Sequence, residues 1–508
     1  MARKWWTLLA VCVATFMLLL DITVVNVALP DIQKSLGASL SSLQWVVDAY
    51  SLTLAAFLLT AGSLADRIGR RRVFAVGFLI FTIASFLCGI SPNATALNLF
   101  RGLQGIGGAA MFATSLALIA QEFQGKERGT AIGAWGATIG GAVAIGPLVG
   151  GALTEGLGWE WIFFVNVPIG AAAILLTVTK LANLKAPDPS PIDWAGLATF
   201  SLGLFGLIFG LIRGNAEGWS SPQILASLIA AVVLLLAFVG IQMRSRNAML
   251  DLSLFRKPAF AGVSIVAFAL SASMFSLFLY ITLYVQDVLG HSPLSAGLIF
   301  LPLTLLSFFV APVAGKLSSR IPIRALLGVG LTFVGIALLL MHGVELGDTW
   351  TTLLAGFLFA GAGIGMVNPG IAQTAIGVVP PQKAGMASGI NNTFRQVGIA
   401  TGVAALGAVF QSQVSSKLAE LAPKAPASFA DAVSSGAIHS AVQQVPASQQ
   451  AKLTTAANQA FISGFNEILL IGAIIALIGA VAGFALVRSS DFVVAPDGEA
   501  PAAEPAAA

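Results

Sequence analysis

The chain has 508 residues, of which 57% are hydrophobic and only 9% charged, with 26 Lys and Arg against 22 Asp and Glu. Soluble domains carry about 25% charged residues, so no water-soluble fold could conceal this much apolar surface and lipid is the solvent for most of the chain. Cys12 and Cys88 lie inside apolar runs, which excludes a disulfide framework or a zinc site, and no basic run interleaved with aromatic residues points to nucleic acid.

A helix needs about 20 apolar residues to cross the hydrocarbon layer, each rising about 1.5 Å. Fourteen stretches qualify. Arg3 and Lys4 open the chain in the manner of a signal peptide, but the apolar run 7–29 has no small-residue cleavage site and is read as a retained first helix. It carries Asp21 and Asn26. The second stretch, 44–65, holds Asp48 near its start and runs into Gly62-Ser-Leu-Ala-Asp-Arg-Ile-Gly-Arg-Arg71. The third spans 73–90, and the fourth, 97–120, contains Arg101, Gln104 and Gly105-Ile-Gly107. The fifth, 130–156, is rich in small residues, among them Gly133, Gly146, Gly150 and Gly151, with Pro147 permitting a bend. The sixth is 161–181.

A Pro-rich linker, 186–191, then leads to a pair of stretches, 194–212 and 222–243, closed by the basic segment 244–257. Next come 259–285, 294–317, 323–343, 351–376 and 384–410, the last with Arg395 near its middle. Residues 411–461 form a loop rich in Ala, Ser and Gln to which no chemistry attaches, with room for short amphipathic helices. The final span, 462–487, carries Glu467. The tail 491–508, of Ala, Pro and Glu, is too polar and proline-rich to fold alone.

Basic residues in short loops are retained on the cytoplasmic side. With the N-terminus inside, nineteen of the 26 Lys and Arg fall there, so both termini are expected in the cytoplasm. An internal repeat adds organisation. Gly62 to Arg71 is echoed by Gly315-Lys-Leu-Ser-Ser-Arg-Ile-Pro-Ile-Arg324, and Gly105-Ile-Gly107 by Gly363-Ile-Gly365, in each case eight helices later. The fold class is therefore all-α and polytopic: a six-helix half over 1–185, an inserted helix pair with its linkers over 186–257, and a second half over 258–490 that includes the loop 411–461. Residues 491–508 form a disordered cytoplasmic tail.

An ionisable side chain inside a membrane helix costs about 2.5 to 3.5 kcal/mol on insertion scales, so each one asks for a partner or a task. Asp21 lies ~13 Å below the outer boundary and Arg101 ~7 Å deep, which puts an acid and a base in the outer part of the first half. A carboxylate facing a cavity beside a movable Arg can load and release a proton, because burial raises its affinity for the proton and the Arg lowers it. The pair is read as a coupling device in preference to a static packing contact. Asp48 serves equally as a coupling group or as an interfacial residue near Trp45. Asn26 and Gln104 either line the cavity or bridge helices. Glu467 is read first as a mouth residue, and Arg395 either faces the cavity or hydrogen-bonds Asn391 and backbone carbonyls.

With these motifs in place the chain resembles the major facilitator superfamily, and within it the fourteen-helix drug:proton antiporter branch. The resemblance rests on Leu20-Asp-Ile-Thr-Val-Val-Asn-Val-Ala-Leu-Pro30, on the superfamily pattern formed by Gly62, Asp66, Arg67, Gly69, Arg70 and Arg71, on Arg101-Gly-Leu-Gln-Gly-Ile-Gly-Gly-Ala109, and on Gly133 with Gly146-Pro-Leu-Val-Gly-Gly151. Asn391-Asn-Thr-Phe-Arg-Gln396 is similar to the same branch. Ala142 departs from the antiporter motif, where a glycine is usual. The resemblance implies alternating access between two halves, roles in proton coupling or cationic-substrate binding for Asp21 and Arg101, and a latch in which Asp66 meets the helix N-terminus near Gly385 when the cytoplasmic side is closed.

The expected function is export of small amphipathic molecules, cationic ones included, in exchange for protons across a bacterial cytoplasmic membrane. The partners are then the substrate, protons and lipid, with no cofactor; the sequence names no protein partner. Carriage of one dedicated metabolite, in either direction, is the alternative. An enzyme is not expected, because His291, His342 and His439 sit in loops or at helix ends without a partnered nucleophile.

Overall fold

A computed structural model describes residues 2–37, 40–182, 191–245, 248–318, 320–380, 383–423, 425, 427–434, 436, 438–443 and 446–493. Most of the linker 186–191, Lys185 and the tail from 494 lie outside the described residues. Among the described residues the secondary structure is helical throughout, with no strand. The elements are α1 (Arg3–Leu36), α2 (Leu40–Ile68), α3 (Arg70–Gly89), α4 (Ala94–Glu122), α5 (Gly125–Leu157) and α6 (Trp161–Lys180, interrupted at Val165). There follow α7 (Trp194–Glu217), α8 (Pro222–Arg244), α9 (Pro258–Val288), α10 (Pro293–Ile299 then Leu301–Leu317), α11 (Ile323–Met341), α12 (Trp350–Gly377) and α13 (Ala384–Leu421). Two short helices, α14 (Ala427–Ser434) and α15 (Ile438–Gln443), precede α16 (Ala447–Leu486).

Local sequence sets the ends. Asn93 caps α4 by accepting the Ala96 N–H at 2.9 Å, and Asp193 caps α7 by accepting the Gly196 N–H at 2.8 Å. Ser221 followed by Pro222 starts α8 in the same manner. Gly69, at φ 108°, makes the turn between α2 and α3 that a side chain would oppose.

Twelve helices among the described residues are long and apolar enough to cross a membrane, against the fourteen expected. The other two expected spans fall on α5, a helix of 33 residues whose described apolar part is Leu148–Leu157, and on α10, which is broken at Phe300 and leaves a main piece of 17 residues. The segment 411–461 also differs from the loop expected. α13 continues past the apolar run to Leu421, and α16 starts at Ala447, so these helices have 38 and 40 residues and extend ~57 and ~60 Å. The reason is an apolar stripe on a polar background: Phe410, Val414 and Leu418 of α13 are buried with Phe429, Val433, Ile438, Ala457 and Phe461, continuous with the core of the second bundle.

Helix packing follows one pattern twice. α2 and α3 both pack on α4, α1 on α5, and α3 on α6; in the same arrangement α10 and α11 pack on α12, α9 on α13, and α11 on α16, which takes the place of α6 after the two short helices. The first bundle, α1–α6, and the second, α9–α13 with α16, meet through α2 on α13 and α5 on α10. α7 leans on both α2 and α13, with α8 packed behind it.

Candidate functional site

The most deeply enclosed charges lie inside the first bundle. Arg101 on α4 donates Nη1 to Asp21 Oδ2 on α1 at 2.5 Å, and the side chains are 1% and 0% exposed. Gln104, one turn along α4, donates Nε2 to Asp21 Oδ1 at 2.9 Å and to Ser85 Oγ of α3 at 2.7 Å. Asn166 of α6 adds a longer contact to Asp21 Oδ1, 3.4 Å. Arg101 also donates Nε to the Val46 carbonyl at 2.9 Å and Nη1 to Gln104 Oε1 at 2.6 Å, and its guanidinium lies 4.3 Å from the centre of the Tyr50 ring. Residues of α1, α2, α3, α4 and α6 thus form one network, in which α4 and α6 donate to the carboxylate itself. Desolvating two ions costs several kcal/mol each, and the attraction repays this only when the remaining polar atoms are also bonded, as they are here. In this conformation the Asp21 side chain has no exposed surface, and its oxygens are turned toward the donors of α4 and α6. The Asn26 side chain lies outside the described residues.

Asp48 is placed differently. It sits on α2 with Arg213 of α7 at 3.8 Å, and Arg213 pairs with Glu217 at 3.0 Å while lying 5.4 Å over the Trp45 ring. The α2–α7 contact continues through Thr60 and Ser201, whose hydroxyls are 2.8 Å apart.

At the end of the molecule where most basic residues gather, the two bundles are joined. Asp66 accepts the backbone N–H of Gly385 at 3.1 Å and of Met386 at 2.8 Å, so its carboxylate covers the first turn of α13, where backbone N–H groups lack helical partners and the helix dipole is positive. Arg70 holds it from the other side, Nη2 to Oδ1 3.1 Å, and donates Nη1 to the Ala117 carbonyl at 3.1 Å. Arg67 donates to the carbonyls of Pro191 and Ala248, one on each side of the α7–α8 pair, and Arg71 to that of Val178. Lys383 bonds Asp251 at 2.8 Å, tying the segment after α8 to the start of α13. That contact holds the Asp251 carboxyl below its ordinary range, with the Ser253 hydroxyl helping.

The glycines explain how close the bundles come. A methyl at Gly62 would collide with the Gly385 carbonyl oxygen, and one at Gly389 would lie 2.9 Å from the Leu58 oxygen. The related pair behaves alike: Gly129 of α5 abuts Gly315 of α10, and a methyl at Gly133 would lie 2.7 Å from the Pro312 Cα. Further along α5 the partner changes to α1, since Gly146 abuts Thr23 and a methyl at Gly150 would lie 3.2 Å from the Val24 Cα. Along α13 the switch is from α2 to α9: methyls at Gly398 and Gly402 would meet the Phe268 oxygen at 2.7 Å and the Ala272 oxygen at 2.5 Å. Gly151 has open space around it, and the Pro147 side chain lies outside the described residues. Glu467 is half-buried on α16 with no hydrogen-bond or ion-pair partner among the described residues. Arg395 lies on α13 with its guanidinium 5.7 Å from the Phe275 ring centre.

The sequence offers no reading for Ser85, Asn166 or Tyr50, and the apolar stretch 194–212 stops one residue short of Arg213. Asn166 was detectable as a lone amide in an apolar helix. Ser85 carries no such signal, because serine is common in membrane helices.

The profile of the Major Facilitator Superfamily matches residues 11–403. The multidrug resistance protein Stp of Mycobacterium tuberculosis (strain CDC 1551 / Oshkosh) is 36% identical over 413 residues, 81% of this chain and 77% of that protein. The tetracenomycin C resistance and export protein of Streptomyces glaucescens is 34% identical over 491 residues, 94% and 90% of the two chains. The multidrug transporter protein MdtP of Bacillus subtilis (strain 168) is 30% identical over 490 residues, 92% and 90% of the two. Among solved structures, the human organic anion transporter MFSD10 (TETRAN) superposes with a TM-score of 0.60 over 93% of this chain and 99% of its own, at 15% identity, a likeness of fold.

Proposed function

We propose that this chain, which belongs to the Major Facilitator Superfamily and is a multi-pass membrane transporter, exports amphipathic small molecules from a bacterium in exchange for protons. The observation that carries the reading is the buried Asp21–Arg101 pair with its complement of amide donors. A carboxyl that takes up a proton no longer holds a guanidinium, and an Arg left without its anion in a closed bundle is strongly disfavoured. Proton uptake at Asp21 therefore loosens the contact of α1 with α4, and proton release restores it. That is a two-state element biased by one proton, which coupling requires.

The second element of the proposal is alternating access between the six-helix units 1–185 and 258–490, with the pair in 186–257 seated at their seam. With the basic end in the cytoplasm, the conformation described has its cytoplasmic side closed, and Asp66 with Gly62, Gly69, Arg70 and Arg71 acts as the latch of that state. Opening requires Asp66 to leave the N-terminus of α13. The glycine rows of α5 and α13 supply the surfaces over which the bundles move, since small side chains allow close packing without interlocking.

Relatives named for multidrug resistance support a broad substrate range, and one named for tetracenomycin C supports the second reading, a carrier dedicated to one compound. Efflux of a panel of structurally unrelated dyes and antibiotics from cells with and without the protein separates them. Broad efflux that stops when the proton gradient is collapsed supports proton-driven multidrug export. A single responsive compound supports the dedicated carrier, and efflux indifferent to the gradient removes the proton.

A further inference from the structure

Arg395 of the second bundle lacks the ion pairs that hold several other enclosed charges, although Arg128 near the start of α5 also has a buried Nε without a hydrogen-bond partner among the described residues. Asp21 neutralises Arg101, Asp66 binds Arg70, and Asp48 lies beside Arg213. Arg395 stands eleven residues beyond the start of α13 at Ala384, ~16 Å along the helix, and among the described residues its guanidinium makes neither a hydrogen bond nor an ion pair. Its recorded neighbour is the face of Phe275, 5.7 Å away. A cation at that depth without an anion is costly and needs a partner from elsewhere.

Close to Arg395 in the chain several buried polar atoms have no partner, among them both ends of the Asn392 amide. Asn391, Arg395, Gly398 and Gly402 follow one another at four-, three- and four-residue steps, so they form one stripe of α13. Gly398 and Gly402 place that stripe against α9, over the π-helical turn Ser271–Phe275. Such turns inside α-helices recur at functional sites, since the extra residue opens the backbone ladder. On this seam the Asn391 Nδ2 donor is buried without an acceptor, and so is the Ser271 hydroxyl; the two residues are 2% and 0% exposed. A guanidinium, an amide N–H and a hydroxyl, all unused and flanked by an aromatic ring, suit a planar carboxylate carried on an apolar body.

Resting on the transport reading above, we infer that Arg395, with Asn391 and Ser271, anchors the anionic group of the transported molecule, so that the preferred substrates are amphipathic organic acids rather than cations. Export of an organic acid against a proton then leaves the charge on the cation of α13 compensated only while substrate is bound.

The test uses the purified full-length protein in detergent and three fluorescent probes of one shape: anthracene-9-carboxylate, its uncharged carboxamide, and the (anthracen-9-ylmethyl)trimethylammonium cation. Probe anisotropy should show the carboxylate binding at least ~10-fold more tightly than either of the others, the scale of hydrogen bonds to charged groups. Arg395→Gln should lower carboxylate affinity by a similar factor and leave the carboxamide unchanged, while Arg395→Lys falls between. Equal or tighter binding of the cation by the unsubstituted protein, a ranking that needs no variant to fold, overturns the inference, as does unchanged carboxylate affinity in Arg395→Gln. Carboxylate binding that persists in a protein showing no gradient-driven transport sinks the transport reading and leaves the anion site standing.

Discussion

Asp66 accepts the backbone N–H of Met386 at 2.8 Å, a contact that spans the two bundles and joins the last turn of α2 to the first turn of α13. The same carboxylate takes the Gly385 N–H and the Arg70 guanidinium, so one side chain ends a helix of one bundle while fixed to the other. Its equivalent in the internal repeat, counted from Gly315, is Ser319, so the charged form of the contact belongs to one side of the pair only.

Asp66→Asn keeps the shape and removes the charge, which costs about 1.5 to 3 kcal/mol of charge-assisted hydrogen bonding. At ~1.4 kcal/mol per tenfold, the closed-to-open ratio at the basic end falls roughly 10-fold or more. Maleimide labelling of a cysteine placed at Ser388, with Cys12 and Cys88 replaced, should speed up accordingly. Labelling at the original rate would show that Asp66 does not hold this end shut.

Glycine substitutions should divide by position. Gly133→Val drives a side chain into the Pro312 backbone and should abolish transport while protein still reaches the membrane. Gly151→Ala meets nothing and should change stability by no more than ~0.5 kcal/mol, with transport retained. Vesicle transport and thermal unfolding of the two variants check this, and equal damage in both would mean that the glycines matter for something other than close approach.

Removing one member of the enclosed pair should cost more than removing both. Asp21→Asn leaves Arg101 without its anion, a loss of about 3 to 5 kcal/mol, whereas Asp21→Asn with Arg101→Gln recovers much of it. Thermal melting across the double-mutant cycle reads the coupling, and gradient-driven transport should be absent in all three variants. Wild-type transport by the double variant would reduce the pair to a packing contact.

The Asp251–Lys383 tether supplies a pH control outside the membrane-spanning segments. Its lowered carboxyl contributes stability that is complete above the ordinary Asp value of about 4 and is lost as pH falls through the lower folded value. Between pH 5 and 8 the contact is constant. Transport by Asp251→Asn should therefore follow the unsubstituted protein's pH profile in shape. An altered profile there would place a titrating group at this tether.

How much was legible in the sequence follows from what each signal measures. Hydropathy finds apolar helices, so the spans, the repeat and the α2–α3 turn were readable, and Asp66 was traceable to the N-terminus of α13 through motif resemblance. Hydropathy also stops where apolar character stops. It therefore ended α13 near Phe410, although the backbone ladder and the Val414 and Leu418 stripe carry the helix to Leu421. The acid and base of the enclosed site were visible because charge in a membrane helix is rare. Their uncharged donors on other helices, Ser85 and Asn166, were not, because which face of α3 or α6 turns toward Asp21 is decided by packing between helices distant in sequence. For the same reason nothing before the fold showed that Arg101 is paired and that Arg395, among the described residues, is not.

The most direct measurement is of proton movement itself. Purified protein is reconstituted into proteoliposomes holding a pH-sensitive dye, and an outward gradient of a transported compound is imposed with no initial pH difference. Exchange predicts that protons enter as the compound leaves, acidifying the lumen, and that Asp21→Asn abolishes the signal. Substrate loss without any change of luminal pH, or with alkalinisation, would contradict proton exchange.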